Sequence, residues 1–506
     1  MAQQLQNITV AAPGFAGLNT QDSPIGGDPS FAAVADNCVI DKLGRIGARK
    51  GWEAVSSNGA AVLGSSRGIE AVFEYVKRDG TKIVFSAGNN KIFTGTSTLA
   101  AVTLPSGYSI SANNWKIVSF NNDVYFFQRG HAALVSVAGS TTLIAVADGG
   151  TAAPAANEVL AAYGRLWAAD ITANKYVVYW SDLLDGDDWH GGSSGSLDLT
   201  LVWPTGFDEV VALAAHNNFL IIFGKKSMLV YSGASSPASM TLADTVEGVG
   251  CIARDSVQHT GTDILFLSET GVRSFGRTIQ EKSMPMRDIS KNIRTDLLSL
   301  IPLQTNAIKS LYSSEEAFYL LTLPDSNTVY CFDMRRQLED GSNRVTTWSS
   351  MYPLSFVSLE GGAIYIGISS GIVEYKNYMD GAFKYEMRYF SNPMDFGNTS
   401  NLKFLKKFNL TIIGGQNTPT TLNWGYDYSA SFTKQAFTFS SSNIAEYGLA
   451  QYNTTGEYTS SILINTPKVN TSGSGEVATI GIEAEVNGAA FSIQKIDIHA
   501  ILGRLI

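Results

Sequence analysis

Residues 115–127 read WKIVSFNNDVYFF, which is an alternating run, a polar Asn121-Asn122-Asp123 turn and a second run that is apolar throughout. Two such runs joined by a tight turn predict a β-hairpin. The second run is apolar on both faces, which is typical of a strand packed between two neighbouring sheets. The same pattern recurs at residues 210–224 and again at residues 356–367.

The hairpin pattern occurs seven times, and successive repeats begin 47, 44, 50, 46, 53 and 48 residues apart. The repeats begin near Arg67, Asn114, Glu158, Asp208, Arg254, Ala307 and Ser355. A period in this range, with several short strands in each repeat, indicates a β-propeller. We therefore predict an all-β fold with a propeller over residues 67–384. The blade number is six or seven, because the first repeat is weak.

The two flanking regions differ from the repeats. Residues 1–66 are rich in Pro and Gly breaks and predict an irregular N-terminal arm. Within this arm we predict a short helix at 29–37, N-capped by Asp28, and a hairpin at 38–52 that turns at 41–44. Residues 385–506 carry longer alternating strands, such as 407–413, 478–486 and 491–502. They predict a β-sandwich-like C-terminal domain. Residues 290–300 predict a helix between the fifth and sixth repeats.

Composition limits the function. Charged residues make up 16% of the chain, below the roughly 25% of typical soluble domains, and the net charge is −9. An acidic chain is a poor candidate for tight DNA binding, which normally needs a basic face. The N-terminus lacks the pattern of a secretory signal, and no apolar stretch approaches the length of a membrane span. The three cysteines lie far apart and predict neither a disulfide framework nor a metal site.

The chain carries no recognisable catalytic motif. Its five histidines show no metal-binding spacing, and the glycine-serine loop at 192–196 lacks the strand–turn–helix context of a nucleophile elbow. The acidic turn from Asp182 to Asp188 allows three interpretations: a solvated turn, a bound cation such as calcium, or catalysis. We predict no catalytic, cofactor-binding or metal-binding residue and a protein that is not an enzyme.

Arg45, Arg49 and Lys50, with Lys42 nearby, form the one basic cluster of the N-terminal arm. Such a cluster binds phosphate, pairs with acidic residues of a neighbouring chain, or is solvated. We predict that Arg45, Arg49 and Lys50 make an intersubunit or adaptor contact.

Several phrases resemble the tail nozzle proteins of short-tailed bacteriophages, the family that includes tail tubular protein B and packaged-DNA stabilisation proteins. They are FAGLNTQDSP at 15–24, ADNCVIDKLGRIGARKGW at 35–52, the acidic turn at 182–189, and YFSNPMDFG at 389–397 followed by 403–408. The resemblance implies a structural virion protein that is assembled in the host cytoplasm. Six copies would ring the tail axis, contact the tail adaptor protein, and carry fibres or spikes. DNA in the channel would touch the ring transiently and without sequence preference.

Two other functions stay open at this point. A glycan-binding or glycan-cleaving tail-associated propeller would need carboxylates that converge in a central pocket. A cellular propeller that acts as an interaction scaffold would need no such site.

Overall fold

Seven small antiparallel sheets follow one another along the chain and close into a ring, so the fold is a seven-bladed β-propeller. The computed structural model describes residues 5–11, 15–23, 28–64, 68–111, 114–204, 206–276, 288–398, 400–416, 418–439 and 464–505. The predicted all-β propeller is therefore confirmed, with seven blades. The sequence predicts the start of the first repeat near Arg67, which lies outside the described residues. The first inner strand begins at Ala71.

In blades 1 to 6 the strands run in chain order from the propeller axis outwards, and blade 7 departs from this order only in its outer strand. Blade 1 consists of Ala71–Val76, Lys82–Gly88, Lys91–Thr94 and Ala100–Ala101. Blade 2 consists of Trp115–Phe120, Asp123–Gln128, Leu134–Val137 and Ile144–Ala145. Blade 3 consists of Ala156–Ala162, Arg165–Ile171, Val177–Trp180 and Gly195–Asp198. A two-stranded ribbon, Ala147–Asp148 with Thr151–Ala152, lies between blades 2 and 3. Asn121 and Asn122 both have positive φ, 47° and 69°, as a type I′ hairpin turn requires.

Blades 4 to 7 repeat the arrangement. Blade 4 consists of Val210–His216, Phe219–Gly224, Ser227–Ser232 and Thr241–Glu247, and blade 5 of Gln258–His259, Ile264–Ser268 and Gly271–Ser274. Blade 6 consists of Lys309–Ser313, Phe318–Leu323, Thr328–Gln337 and Asn343–Trp348. Blade 7 consists of Ser355–Ser358, Ile364–Ile368 and Gly371–Tyr375 with Trp52–Ala54. The inner strand of blade 7 contacts the inner strand of blade 1, which closes the ring.

The outer strand of blade 7 comes from the other end of the chain. Trp52–Ala54, which the sequence analysis placed in the N-terminal arm, pairs antiparallel with Gly371–Tyr375. Trp52 lies opposite Tyr375, and Ala54 lies opposite Val373. A propeller closed by a strand from its far end holds its first and last blades together, because the ring cannot open without breaking this pairing.

The C-terminal region forms a sandwich of two sheets with a shared apolar core. One sheet contains Phe31–Asp36, Tyr385–Ser391, Ala478–Val486, Pro419–Tyr426 and Thr433–Thr438, with Gly17–Leu18 beside the first. The other contains Cys38–Ile40, Ile46–Ala48, Phe491–Leu505, Asn401–Gly414, Ile464–Asn465, Lys468–Asn470 and Leu5–Ala11. Tyr385, Met387 and Tyr389 face the core, while Glu386 and Arg388 between them are exposed. This alternation is the expected pattern of a sheet with one solvated face.

Propeller and sandwich share one sheet. The outer strand of blade 6, Asn343–Trp348, lies next to Phe31–Asp36, the first strand of the sandwich, through a parallel bridge between Thr347 and Asp36. The Asn37 N–H donates to the Thr347 carbonyl at 2.7 Å. The ten-stranded sheet that results joins blade 6 to the sandwich without a break, so the two parts form one body.

Two of the local predictions are confirmed and one is wrong. Cys38–Ile40 and Ile46–Ala48 form the predicted hairpin, and the predicted helix at 290–300 appears as a 3-10 turn at Lys291–Ile293 and an α-helix at Arg294–Leu300. The helix predicted at 29–37 is instead the strand Phe31–Asp36. A helix of this length is only marginally stable by itself. The strand forms instead because its backbone groups pair with Tyr385–Ser391. The sequence also predicts a polar link between strands at 440–443, and these residues lie outside the described ones.

Helical segments are few and short. Among the segments that the structure describes in full, the others are the α-helix Gly59–Leu63 and the 3-10 turns Pro237–Ser239, Arg254–Ser256, Ile301–Leu303 and Pro324–Ser326. Among the helices that the structure describes, none combines the length and the apolar character that crossing a membrane requires.

Trp348 lies where blade 6, blade 7 and the N-terminal hairpin meet. Its buried indole donates from Nε1 to the Cys38 carbonyl at 2.8 Å and stacks on Tyr375 with ring centroids 5.5 Å apart. We expect Trp348→Ala to lower the free energy of unfolding by about 3–5 kcal/mol, because it opens a cavity and removes a buried hydrogen bond. Urea denaturation would measure this loss. Leu201→Ala, at a side chain that is 98% exposed, is the control; an equal effect of both would contradict the role of Trp348.

Candidate functional site

The three basic residues predicted to contact another chain occupy different environments. Arg49 is fully buried, with no exposed side-chain surface. Arg45 is largely buried, and Lys50 keeps 39% of its side chain exposed. Sequence proximity therefore groups residues that the fold separates, because Arg45 lies beside the hairpin turn while Arg49 points into the junction behind it.

All three nitrogens of the Arg49 guanidinium group donate hydrogen bonds. Its two terminal nitrogens donate to both carboxylate oxygens of Asp380, at 2.8 and 2.7 Å, and Nε donates to Oδ1 of Asn37 at 3.0 Å. A further bond reaches Ser350 Oγ at 2.7 Å, and the group stacks 4.2 Å from the ring centre of Tyr385. Burial by itself lowers the pKa of Arg49, but the bonds and the charge of Asp380 outweigh it and raise the pKa. Arg49 thus joins segments within one chain and has no free group for a second one.

Lys50 and Arg45 face a cleft between the hairpin and blades 6 and 7. The Lys50 ammonium pairs with Glu316 of blade 6, and Arg45 pairs with Asp41 across the hairpin turn at 2.6 Å. The cleft encloses about 720 Å³ and contains Lys42, Leu43 and Arg335 as well. The contact with another chain stays a prediction for Arg45 and Lys50, whose side chains reach the surface.

The propeller axis carries a cluster of charged side chains that the motifs and spacings of the sequence do not predict. Lys116, Glu158 and Lys309 come from the inner strands of blades 2, 3 and 6, and Arg254 and Asp255 come from the turn before blade 5. The Lys116 ammonium lies 3.2 Å from the Glu158 carboxylate, and the Lys309 ammonium lies 2.6 Å from Asp255. The charges alternate in sign, so each one compensates a neighbour.

Arg254 spans the axis. It pairs with Asp255 at 2.7 Å, donates to the Trp115 carbonyl of blade 2 at 2.8 Å, and donates to Oδ1 of Asn157 in blade 3 at 3.0 Å. A side chain from blade 5 therefore holds two blades on the other side of the ring. This contact crosses the axis between a cavity of about 420 Å³ on one side and one of about 150 Å³ on the other, so it interrupts a straight passage through the centre of the propeller.

The pKa values of the two axis carboxyl groups, Glu158 and Asp255, shift in opposite directions. Burial raises the pKa of Glu158, against the opposing charges of Lys116 and Arg254. Burial also acts to raise the pKa of Asp255, but the charges of Arg254, Lys309 and Lys116 more than offset it and lower that pKa well below the usual range. Asp255 is therefore held as an anion among three cations.

A cavity of about 420 Å³ opens at the face of the propeller where the inner strands begin. One wall is charged: Arg129 pairs with Asp170, and Glu209 holds both Lys175, at 3.3 Å, and Lys225, at 2.7 Å. The opposite wall is apolar and includes Ile252, Ile301 and Ile308. The volume suits a small molecule. Each carboxylate named here is already paired with a cation, so none stands free as a general base.

A sequence signal for the axis cluster exists in retrospect. A charged residue recurs at or just before the first strand of most repeats, as in Glu70, Lys116, Glu158, Arg254 and Lys309. A charge inside a strand that is otherwise apolar is costly unless it is paired. Recurrence at one position of a propeller repeat would therefore have predicted a paired cluster at the axis.

The acidic turn is largely a self-contained structural element. Asp182 accepts from the Ser193 N–H at 2.8 Å, Asp185 accepts from the Asp187 N–H at 2.9 Å, and Asp188 accepts from the Gly191 N–H at 2.7 Å. Asp188 also lies beside Asp148 and His190, with ligand atoms of the three within 4.8 Å of one another. A cation at this group stays a prediction, whereas the turn-forming role of the aspartates follows from their bonds.

The three cysteines are buried and unpaired. Burial raises the pKa of Cys251 to about 12 and shifts the pKa of Cys38 and Cys331 in the same direction. Thiols with a raised pKa in apolar surroundings are poor nucleophiles, so these side chains act as packing groups.

No protein-family model matches the chain, and no curated protein matches it at a significant level. Solved structures are similar to it at low identity. PorZ, a surface component of the type-IX secretion system of Porphyromonas gingivalis, is 14% identical; the match covers 62% of this chain and 36% of PorZ with a TM-score of 0.35. The WD40 propeller domain of Doa1 is 12% identical over 64% of this chain and 96% of that domain, with a TM-score of 0.38.

YCF48 from Cyanidioschyzon merolae is 10% identical over 64% of this chain and 98% of that chain, with a TM-score of 0.39. Likenesses at this level carry no argument about function. The fold assignment rests on the seven sheets themselves.

Arg49→Ala tests the buried junction. The change leaves Asp380 without its cation, and we expect a loss of about 3–5 kcal/mol in the free energy of unfolding. Arg49→Lys keeps the charge but not the two-pronged geometry, so its loss should be smaller. Arg45→Ala, which removes a less buried pair, should cost at most about 1 kcal/mol. Urea denaturation would rank the three variants, and equal losses for Arg49→Ala and Arg45→Ala would contradict the assignment.

Asp255→Asn tests the axis cluster and its pH dependence. A carboxyl group whose pKa is lowered by folding contributes stability that is complete above its unfolded pKa of about 3.9 and is lost as the pH falls below it. We expect the variant to be less stable than the parent by about 3 kcal/mol at neutral pH. The difference should shrink below about pH 4. Glu339→Gln, at an exposed position, is the control, and a gap that does not depend on pH would count against ionised Asp255.

Proposed function

We propose that this chain is a structural protein of the virion tail of a short-tailed bacteriophage. Six copies would form the tail nozzle, a ring around the DNA exit channel that retains packaged DNA, binds the tail adaptor protein, and carries fibres or spikes. The resemblance of residues 15–24, 35–52 and 389–397 to nozzle proteins motivates the proposal. The role is mechanical and not enzymatic.

The interrupted propeller axis is the observation that supports this proposal best. Arg254 binds Asp255, Trp115 and Asn157 across the centre, so nothing the size of a nucleic acid strand passes through the propeller of one copy. In the proposed ring, the DNA path would therefore lie between copies and not through one propeller.

The shared sheet supports the same role. Because blade 6 and the sandwich belong to one ten-stranded sheet, a force on the sandwich passes through backbone hydrogen bonds to the propeller. Arg49 and Trp52–Ala54 tie the N-terminal segment into the same body. A rigid two-part block is suited to a ring that withstands the pressure of packaged DNA.

The charge of the chain is compatible with DNA that slides past. A net charge of −9 gives few phosphate contacts, and phosphate contacts dominate non-specific DNA affinity. DNA in the channel would therefore meet the ring only in transient, non-specific contacts. Assembly would take place in the host cytoplasm.

One observation favours a second candidate, a glycan-cleaving tail propeller. Glu158 and Asp255 both lie near Lys116 on the axis, at 3.2 and 4.0 Å from its ammonium, and glycosidases use two carboxyl groups with separated pKa values. Glu158, however, is only 1% exposed, so a substrate would not reach it without a rearrangement of the blades. Release of reducing sugar from host polysaccharide by the parent and its loss in Asp255→Asn would establish this candidate.

Mass spectrometry of purified virions tests the nozzle. We expect the chain in several copies per particle, with a stoichiometry near six relative to a twelve-fold or six-fold tail component. Native mass measurements of the isolated chain, with and without the tail adaptor, would then show ring formation. Absence from virions would overturn the proposal; a monomer without the adaptor would not, because such a ring can close on its template.

A further inference from the structure

Two adjacent leucines project from the loop that joins the third and fourth strands of blade 3. Leu183 is 52% exposed and Leu184 is 60% exposed. Leu184 has φ of 58°, a left-handed conformation that costs a bulky side chain free energy. Phe219, 37% exposed, and Tyr163, whose hydroxyl donates to the Phe219 carbonyl at 2.8 Å, extend the surface. We call Tyr163, Leu183, Leu184 and Phe219 the apolar strip.

The loop is held in this exposed form by many bonds. The Leu184 N–H donates to the Gly164 carbonyl at 2.8 Å, and Asn121 donates from Nδ2 to the Leu184 carbonyl at 2.9 Å. Arg165 binds the two ends of the loop, at the Ser181 carbonyl and at Ser193 Oγ, at 2.8 and 2.7 Å. A bonded loop that holds leucines in solvent, one of them strained, is typical of a docking surface.

The margin of the apolar strip is acidic. Asp123, Asp185 and Asp187 lie beside it, and in the described part of the chain none of them forms an ion pair with a lysine or arginine. Burial and the neighbouring charges of Asp185 and Asp123 raise the pKa of Asp187. The surface therefore presents apolar side chains together with negative charge that no described cation neutralises. Its partner should be apolar and basic.

The same chain carries a surface of that kind at the tip of the N-terminal hairpin. Leu43 is 68% exposed, and Lys42 beside it is exposed and forms no ion pair among the described residues. The tip is fixed by Asp41, which accepts from the Leu43 and Arg45 N–H groups at 2.9 Å each. Arg335 of blade 6 donates to the Ile40 carbonyl at 2.7 Å and holds the hairpin against that blade.

The two surfaces lie on opposite sides of the propeller. The apolar strip belongs to blades 3 and 4, and the hairpin tip rests on blade 6, three blades from blade 3 in a ring of seven. The two patches differ, so one copy presents the hairpin tip on one side and the apolar strip on the other. Contacts of this head-to-tail kind close into rings when the rotation fits.

We propose that the hairpin tip at Lys42 and Leu43 of one copy docks on the apolar strip of the next copy, with Lys42 facing Asp185. The inference rests on the proposed function, since it supplies the contact that closes the nozzle ring. It also assigns Lys42 and Leu43, and not the buried Arg49, to the contact predicted for the basic cluster.

Disulfide trapping tests the contact. A Leu43→Cys chain is mixed with a mass-tagged Leu184→Cys chain in the presence of the tail adaptor and under mild oxidation, where the three native cysteines do not interfere because they are buried. We expect mixed dimers at about ten times the level of the control, because a disulfide requires Cα atoms within about 7 Å. The control replaces Leu184→Cys by Leu201→Cys. Leu201 is 98% exposed and lies at the other end of blade 3, after Gly195–Asp198.

A chain with both Leu43→Cys and Leu184→Cys extends the test. Head-to-tail contact should produce linked species larger than dimers, whereas each single variant should stop at dimers. Mixed dimers no more abundant than in the Leu201→Cys control would overturn the proposal.

A charge exchange tests the pairing of Lys42 with Asp185. Lys42→Asp in the Leu43→Cys chain should reduce trapping severalfold, as should Asp185→Lys in the Leu184→Cys chain, because like charges then face each other. The two changes together should restore it. Failure of the combined variants to recover would remove Lys42–Asp185 as the pair.

These results separate the contact from the function. If virions contain the chain in several copies and trapping fails, the nozzle stands and another surface closes its ring. If trapping succeeds and virions lack the chain, the contact stands and the nozzle falls.

Discussion

The buried ion pair between Arg49 and Asp380 is the interaction on which the arrangement of the parts depends. Arg49 follows the hairpin strand Ile46–Ala48, and Asp380 lies in the link between blade 7 and the sandwich. Their pairing, together with the bonds to Asn37 and Ser350, brings the base of the N-terminal hairpin, the segment after blade 6 and the link after blade 7 to one point. Three residues later the chain becomes the outer strand of blade 7, so the pair also sets where the ring closes. A charge so deeply buried is tolerated only because every donor is used.

The centre of the propeller and its junction with the sandwich follow the same physical rule. Arg254, Asp255, Lys309, Lys116 and Glu158 place charges on the axis that compensate one another, as Arg49 and Asp380 do at the junction. Buried ion pairs add little net stability compared with apolar packing, but breaking one is costly. Charges at these two places therefore favour one arrangement of blades and flanks over others, and the result is a closed, rigid body without a straight axial passage.

The sequence predicts much of the fold, but it does not predict the contacts of the charged residues at the junction and on the axis. The hairpins at 115–127 and 210–224 depend on neighbouring residues and on turn positions where Asn accepts positive φ, so their pattern predicts them directly. The strand at Phe31–Asp36 was predicted as a helix because its pairing partner, Tyr385–Ser391, is remote in sequence. The basic cluster was located but its roles were not: composition does not distinguish Arg49, which is buried, from Lys42, which is exposed.

The sequence by itself determined the period of the repeats, the all-β class and the change of texture after the seventh repeat, because hairpins and alternation are local properties of a chain. Only the tertiary structure decided that Trp52–Ala54 completes blade 7, that blade 6 and the sandwich share a sheet, and that Arg49 meets Asp380, 331 residues away. It also decided which charges meet on the axis and which leucines face solvent on opposite sides of the ring. These are pairings between distant segments, and their free energy exists only once the ring has closed and excluded water from its junctions.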